Sequence, residues 1–357
     1  MRGLVLAGGT GSRLRPLTYT SAKQLIPVAN KPILFYGIEA LASAGIRDIV
    51  VIVGDTGEEV RRALGDGSAL GVSVRYVDQE APLGLAHAVK IAEAELSGED
   101  FCMFLGDNLL QGGVRDLVEE YERVRPDAMI LLAEVANPSE FGVASLDAEG
   151  RVVRLVEKPK NPPSNLALVG VYLFTPAIFE VLPHLRPSWR NELEITDAIQ
   201  LMIDRGMHVH SQVVRGWWKD TGKPEDVLEA NRLVLDAWAS AWVSPEARVV
   251  ESRIEGRVRI EADAVVERSV IRGPAVVGSG AEVRDAFVGP YTSIGPRAVV
   301  EASEVQNTIV LDDAVLRGVL GVEGSLIGRG AVVERESRLL PRGMRLVLGD
   351  RSRVVLP

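Results

Sequence analysis

The sequence predicts an α/β architecture, a mostly parallel sheet with helices on both faces, followed by a parallel β-helix. Three observations carry the prediction. Up to Val135, short apolar runs alternate with amphipathic stretches. The first run, Leu4-Val5-Leu6, opens directly into Ala7-Gly8-Gly9-Thr10-Gly11-Ser12-Arg13, a glycine loop at the end of a strand. Beyond Pro245 aliphatic residues recur at a fixed interval.

Gly3 to Leu6, Ile49 to Val53, Val72 to Val77, Phe101 to Leu105 and Ala128 to Val135 are short, apolar and bounded by Gly, Asp or Pro, and read as strands. Between them Pro32 to Ala44, Glu58 to Leu64, Leu85 to Leu96 and Val114 to Arg125 read as helices. Thr56 stands three residues before Glu59, the spacing of a capping box. Alternation of this kind implies right-handed crossovers, and ligands then gather at the carboxyl ends of the strands. Arg151 to Glu157 and Leu168 to Phe174 read as further strands. A helical run from Pro224 to Trp242 ends at Ser244-Pro245, which places the expected domains at residues 1–243 and 244–357.

In the second part Ile254, Ile260 and Val266 are followed by Ile271, Val277 and Val283, then by Val288, Ile294 and Val300, each seventeen positions on. The steps within a turn are six, six and five. Small residues follow the aliphatic ones, as in Val277-Gly278-Ser279-Gly280-Ala281, so the pattern is the hexapeptide repeat of a parallel β-helix. Aliphatic side chains stack inside and small residues turn the corners. The register slips near Val305 and resumes at Ile327. A β-sandwich gives no reason for a fixed recurrence.

A chain of 357 residues, 46% hydrophobic and 25% charged, has material for one large core and a second domain. Its formal charge of −9 and pI near 5.2 argue against nucleic acid or an anionic membrane as partner. Cys102, the only cysteine, lies in an apolar run with no internal partner and reads as a buried inert thiol in a reducing compartment. No stretch approaches a membrane span, and the run after Arg2-Gly3 is too short for a secretory signal. The expected location is the cytoplasm.

Two familiar phosphate loops fail against Gly8 to Leu14. The dinucleotide fingerprint requires a third glycine where Leu14 stands, and the P-loop requires Gly-Lys-Ser/Thr. What remains is a nest of backbone N–H groups suited to a polyanion, with Arg13 and Arg15 adding charge. Plain tight turns use the same glycines, so the loop alone does not decide.

Ser21-Ala22-Lys23-Gln24-Leu25-Ile26-Pro27 completes a longer pattern. Together with the glycine loop it resembles the sugar-1-phosphate nucleotidylyltransferases, and the glutamine after the lysine resembles the glucose-1-phosphate thymidylyltransferase branch. Gln79-Glu80-Ala81-Pro82-Leu83-Gly84, Leu105-Gly106-Asp107-Asn108, Phe141-Gly142-Val143, Glu157-Lys158-Pro159, Leu193-Glu194-Ile195-Thr196-Asp197 and Trp218-Lys219-Asp220-Thr221-Gly222 follow in the family's order. The resemblance spans the chain, because the repeat tail marks the long form. It implies a Rossmann-like sheet of the nucleotidyltransferase, GT-A-like kind and a left-handed β-helix.

The activity implied is attack by glucose-1-phosphate on the α-phosphorus of dTTP, giving dTDP-glucose and pyrophosphate. The nucleophile is already an anion, so positioning and charge neutralisation should supply most of the rate. Mg²⁺ accepts one or two carboxylates with phosphate oxygens and water. The resemblance gives that role to Asp107 and Asp220, and Leu-Gly-Asp-Asn after an apolar strand points Asp107 out of the sheet's carboxyl end. The implied catalytic residues are Arg13 at the departing phosphates, Lys23 at the α-phosphate and Lys158 at the sugar phosphate. Leu6, Ala7, Gly8, Gly9, Thr10 and Gly11 would cradle the nucleotide, and Gln24, Gln79 and Gly84 would read the thymine edge. Asp107, Asn108, Gly142, Glu157, Val169 and Tyr172 would surround the sugar. His87 reads as a packed helix residue, and Trp217 and Trp218 as walls of the site or core.

Phe141 stands where short-form enzymes have tyrosine, which removes one hydroxyl beside the sugar. A bifunctional enzyme with an acetyltransferase tail would need a general base, and all four histidines, His87, His184, His208 and His210, precede the tail. The tail therefore reads as a regulatory or oligomerisation element, and the chain as a homo-oligomer. A noncatalytic scaffold would be expected to lose the charged residues retained here. UTP, or GTP with mannose-1-phosphate, stays open as an alternative pair of substrates.

Overall fold

The computed structural model describes residues 1–96, 98–238 and 240–335. Strands β1 (Arg2–Ala7), β2 (Asp48–Val53), β3 (Ser73–Asp78) and β4 (Phe101–Leu105) form the parallel, Rossmann-like part of a nine-stranded sheet, in the spatial order β4-β1-β2-β3. Alternation along these strands serves two apolar layers. Leu4, Val50 and Met103 face one cluster with helix α3 (Leu85–Ile91) and helix α5 (Ile195–Asp204). Val5, Val51, Cys102 and Phe104 face the other with α1 (Ile33–Ser43), α2 (Gly57–Leu64) and α4 (Arg115–Val124). With both faces covered, β1, β2 and β4 are near-continuous apolar runs, whereas the edge strand β3 is part-exposed and alternates. Cys102 is fully buried there, and burial pushes its thiol up to about 12.

The sheet continues past β4 through β9 (Leu166–Phe174), which runs antiparallel to β4, β6 (Ala128–Glu134) and β7 (Gly142–Leu146). Strand β8 (Val152–Glu157) pairs with β7, and β10 (Val209–Val213) lies parallel to β6. Outside this sheet, β5 (Asn108–Leu110) and β11 (Trp218–Asp220) form an antiparallel pair that sets Asp220 opposite Asn108.

Three local expectations are corrected. The Thr56 side chain makes no cap hydrogen bond at α2, and Glu59 instead accepts the Ala22 backbone N–H at 2.8 Å. The helix expected over Leu85 to Leu96 is broken at Ala92, where the N–H tightens to an i→i+3 bond with Val89. Helix α6 (Pro224–Asp236) stops well short of Trp242, which already belongs to a strand paired with Arg259. Arg257 ends the helix: its guanidinium donates to the carbonyls of Asp236 and Trp238 and to the Asp236 carboxylate, satisfying C-terminal carbonyls with a cation.

From Trp242 the chain winds through three all-parallel sheets of six, six and five short strands, consistent with a left-handed β-helix. The stacked pairs are those of the seventeen-residue repeat, Ile254 on Ile271, Ile260 on Val277 and Val266 on Val283. Near Val305 the coil loses one residue without losing register. Val305 pairs with Val288, but Ile294 pairs with Val310 and Val300 with Leu316, each sixteen residues on. One face of the β-helix packs on the α/β part, where Val276, Ile309 and Leu311 join Leu14, Ile26, Val28, Ile33, Leu109 and Val227 in a single cluster.

Thr56→Ala is expected to change stability by less than about 0.5 kcal/mol, as an unengaged surface side chain should. Glu59→Ala leaves the amide of the buried Ala22 unpaired and is expected to cost about 1–3 kcal/mol. Urea unfolding of the two variants side by side checks this, and equal midpoints would show that Glu59 does not hold Ala22.

Candidate active site

The carboxyl ends of β1 and β4 open into one cavity of about 730 Å³. After β1 the chain passes through Gly8 to Gly11, with Gly11 at φ +62, into a single turn at Ser12–Leu14. Lys23 explains two of the glycines. A Cβ on Gly9 would lie 2.6 Å from Lys23 Cε, and one on Gly11 2.7 Å from Lys23 Cβ. The lysine stem thus runs beneath the loop, and only a bare backbone admits it.

Lys23 Nζ meets Asp107 Oδ2 in a close, mostly buried ion pair. Burial opposes the charge on both groups. The ion pair, aided by Asp220 at the lysine and by Asn108 at the aspartate, outweighs that burial, so the ammonium is held above its ordinary value and the Asp107 carboxyl below the usual carboxylate range. Asp107 Oδ1 accepts Asn108 Nδ2 at 3.0 Å, and Asn108 Oδ1 accepts the Trp218 indole N–H at 2.6 Å. Thr221 donates both its backbone N–H and its hydroxyl to the Asp107 carbonyl. Asp220 sits beside this pair, and burial with repulsion from Asp107 pushes it up to about 7 against the pull of Lys23 and Arg13. The Arg13 guanidinium reaches the same corner: a Cβ on Gly222 would lie 2.6 Å from its Nη2 and 3.3 Å from Asp220 Oδ2.

At the other end Glu157 closes β8. Its Oε2 accepts the Thr196 hydroxyl at 2.7 Å, while Oε1 lies 3.8 Å from Lys158 Nζ and 3.6 Å from Arg190 Nη1. Burial holds its carboxyl above the ordinary range despite Thr196. Lys158 takes a left-handed backbone at φ +41, with its N–H on the Phe141 carbonyl at 3.0 Å. Phe141 packs edge-on against Trp218, ring centroids 5.4 Å apart. Between β3 and α3, Gln79 Nε2 donates to the Gly84 carbonyl at 3.2 Å and lies 3.1 Å from His87 Nδ1. Gly84 has φ +102 and abuts Leu193, where a Cβ would come within 2.3 Å of the carbonyl oxygen. Gln24 lines the cavity 1% exposed, and its Oε1 is buried with no hydrogen-bond partner.

Of the residues the sequence singles out, Leu6, Gly8 to Gly11, Arg13, Lys23, Gln24, Gln79, Gly84, Asp107, Asn108, Gly142, Glu157, Lys158, Tyr172 and Asp220 all line this cavity. Ala7 and Val169 do not. Both are fully buried in the apolar layer on the far face of the sheet, and Gly170 presents β9 to the cavity in place of Val169. Trp218 lines the cavity, whereas Trp217 packs in the β-helix interface. Sequence reasoning missed Arg190, a loop arginine with no motif of its own, and gave no role to Thr196 or Glu194 within a motif it did quote. Arg190 bridges Glu157, Glu192 and Glu194.

A mixed sheet with a glycine loop, a lysine and two aspartates at its carboxyl edge defines a nucleotide-handling α/β enzyme, and the chain belongs to the nucleotidyl transferase family, whose model matches residues 2–237. Its likeness to particular proteins is close. It is 52% identical to the glucose-1-phosphate thymidylyltransferase of Streptomyces antibioticus, over 99% of both chains. It is 48% identical to the low-salt glycan biosynthesis nucleotidyltransferase Agl11 of Haloferax volcanii, over 100% of both. Among solved structures, a UDP-glucose pyrophosphorylase complexed with UDP-glucose superposes with a TM-score of 0.60 at 27% identity, covering 66% of this chain and 99% of that one.

Gly142 sits close against its neighbours in the cavity wall. A Cβ there would sit 2.6 Å from Thr196 Oγ1 and 2.7 Å from Leu168 Cδ1. Gly142→Ala is expected to displace Thr196 from Glu157 and to cost about 1–3 kcal/mol by overpacking. An unchanged unfolding midpoint would mean that β7 and α5 are free to move apart.

Proposed function

We propose that the chain transfers a thymidylyl group from dTTP to glucose-1-phosphate, releasing pyrophosphate. One observation carries the reading: the glycine loop, the Lys23–Asp107 pair with Asp220, the unpaired Gln24 acceptor and the Glu157–Lys158–Arg190 cluster share one cavity. A triphosphate, a pyrimidine base and a phosphorylated sugar find matching chemistry along it.

A phosphate oxygen of the sugar attacks the α-phosphorus. The bond from that phosphorus to the bridging oxygen breaks, and pyrophosphate leaves with the electron pair. No proton is transferred, so the protein's work is placement and charge. The loop N–H groups and Arg13 hold the departing phosphates. Lys23, fixed under the loop, meets charge growing on the α-phosphate. Lys158 and Arg190 hold the sugar phosphate, Glu157 accepts from sugar hydroxyls, and Gly142 lets the backbone approach the ring. Gln24 Oε1 accepts the imide N–H of thymine, a donor at the position where the protein leaves an acceptor unpaired.

Asp107 and Asp220 fit a divalent cation. They are two crowded carboxylates, Asp220 pushed up by burial and then by repulsion from Asp107, and a cation held by both would relieve that repulsion. Among the described residues no third acidic, His or Cys ligand joins them, which leaves positions for phosphate oxygens and water, as Mg²⁺ prefers. When bound, Mg²⁺ neutralises phosphate charge as a Lewis acid. Residues 1–243 carry this chemistry in our reading, and 244–357, lacking histidine, carry no acyl transfer. No helix among the described residues is long and apolar enough to cross a membrane, and we place the enzyme in the cytoplasm with its substrates.

Purified protein with Mg²⁺, dTTP and glucose-1-phosphate is expected to release pyrophosphate. A panel adding UTP, GTP and CTP and other sugar phosphates reads the specificity, and no turnover with any pair overturns the reading. Asp107→Asn is expected to lower kcat at least about a hundredfold, and near-unchanged turnover would remove Asp107 from the site.

A further inference from the structure

The β-helix touches the catalytic part at a place that bears on Lys23. After the turn at Lys23–Leu25 the chain makes a tight hairpin, Pro27–Val28 pairing with Lys31–Pro32, before α1 begins. Its two tip residues, Ala29 and Asn30, have φ +49 and +62, the left-handed pair of a two-residue hairpin turn. Both tip residues are bonded from outside. Asn30 Nδ2 donates to the Ile294 carbonyl of the β-helix at 2.7 Å. The Ala29 N–H donates at 2.8 Å to Asn231 Oδ1 on α6.

Asn231 is fully buried and ties three segments together. Its Oδ1 also accepts the Ser293 hydroxyl at 2.7 Å, and its Nδ2 donates to the Tyr291 carbonyl at 3.0 Å. The base of the hairpin is closed by Ile33 N–H on the Ile26 carbonyl, and the Lys23 turn by Leu25 N–H on Ala22 and Ile26 N–H on Lys23. From Ser293 to Lys23 there is an unbroken run of hydrogen bonds through backbone with little freedom. The apolar contacts follow the same plan. Leu14 after Arg13, Ile26 after Gln24, Leu109 after Asn108 and Val227 after Asp220 all enter the cluster completed by Val276, Ile309 and Leu311.

We infer that the β-helix is a positioning element for the reaction, and that Asn30, Asn231 and Ser293 act as positioning residues that set Lys23 against Asp107 through the hairpin tip. The inference rests on the proposed reaction, in which a lysine misplaced by even about 1 Å costs rate up to a hundredfold. Gln24 rides on the same turn, so nucleotide binding moves with Lys23, while the sugar-phosphate contacts proposed for Glu157, Lys158 and Arg190 lie at the other end of the cavity and are spared.

The test compares the full-length wild type with Asn30→Gly, which keeps the left-handed turn and deletes only the amide, and with the double variant Asn30→Gly/Ser293→Ala. Steady-state kinetics with dTTP and glucose-1-phosphate are read beside thermal unfolding and amide hydrogen exchange over residues 22–26. The expected result is a kcat lowered about tenfold or more in the double variant and less in the single one. KM for glucose-1-phosphate stays within about threefold, and exchange at Leu25 and Ile26 is faster. A lowered unfolding temperature with kcat and exchange unchanged would assign the contact to stability alone and overturn the inference. A wild type without turnover would overturn the proposed reaction. The exchange comparison then decides the inference separately, unchanged protection over residues 22–26 overturning it.

Discussion

A lysine and an aspartate buried against each other at the carboxyl edge of the sheet impose the conditions the surrounding structure meets. Taking both charges from water costs several kcal/mol per ion, and removing either partner would leave a buried charge worth about 3–5 kcal/mol of instability. Their geometry must therefore be held from every side. The glycine loop closes over Lys23 because Gly9 and Gly11 have no side chain to obstruct it. Asn108 and Thr221 hold Asp107, and Trp218 holds Asn108. Asp220, next in line, bears the cost of a second carboxylate in the same buried space. On the proposed reading a polyanion with its cation completes the charge balance of this site.

The same requirement accounts for where the β-helix sits. A turn of three residues, Lys23–Leu25, cannot hold a buried charge by its own hydrogen bonds. It is bounded on one side by Glu59 reaching back from α2 to the Ala22 amide, and on the other by a hairpin whose tip is bonded to α6 and the β-helix. The apolar cluster beneath excludes water from these bonds, which makes each stronger than it would be at the surface. Stacked ion pairs on the exposed corners of the β-helix, such as Arg268–Asp285 and Arg297–Asp313, are solvated and contribute little by comparison.

The parallel strands β1, β2 and β4 are legible in the sequence because burial on both faces makes each a short apolar run with sharp ends, and the β-helix because its period is long and regular. The limits of legibility have the same physical root. Leu168-Val169-Gly170-Val171-Tyr172 is apolar on both faces, so alternation cannot tell which parity meets the cavity, and the family resemblance, which brings in Val169 as well as Tyr172, does not separate the two parities. The slip at Val305 is a single residue removed from a corner, where side-chain identity carries least information. Thr56 and Glu59 have capping-box spacing, but the Ala22 amide needs a tertiary acceptor and takes the glutamate. Arg190 lies in a loop whose position depends on Glu157, Glu192 and Glu194 coming together in space, and nothing local to Arg190 announces that.

On the proposed reading the two ends of the cavity, one for the base and one for the sugar, select their ligands by different physics. At the base end the protein leaves an acceptor, Gln24 Oε1, buried and unpaired. An unmade hydrogen bond of that kind costs about 1–3 kcal/mol, recovered only by a ligand that presents a donor there. On the proposed reading thymine and uracil do so through the imide N–H. Cytosine, which carries an acceptor at the same ring nitrogen, sets two lone pairs facing each other and is rejected by more than the lost bond. The thymine methyl is a matter of shape alone, worth about 1–3 kcal/mol. At the sugar end selection is by reach. Gly142 brings bare backbone to the ring, Glu157 is held by Thr196 with one oxygen turned toward Lys158 and Arg190, and Phe141 adds an apolar wall against Trp218 without a hydroxyl. On that reading discrimination among pyrimidines rests on one buried atom, while discrimination among sugars is spread over a wall of several residues, so the first is the easier of the two to remove by a single substitution.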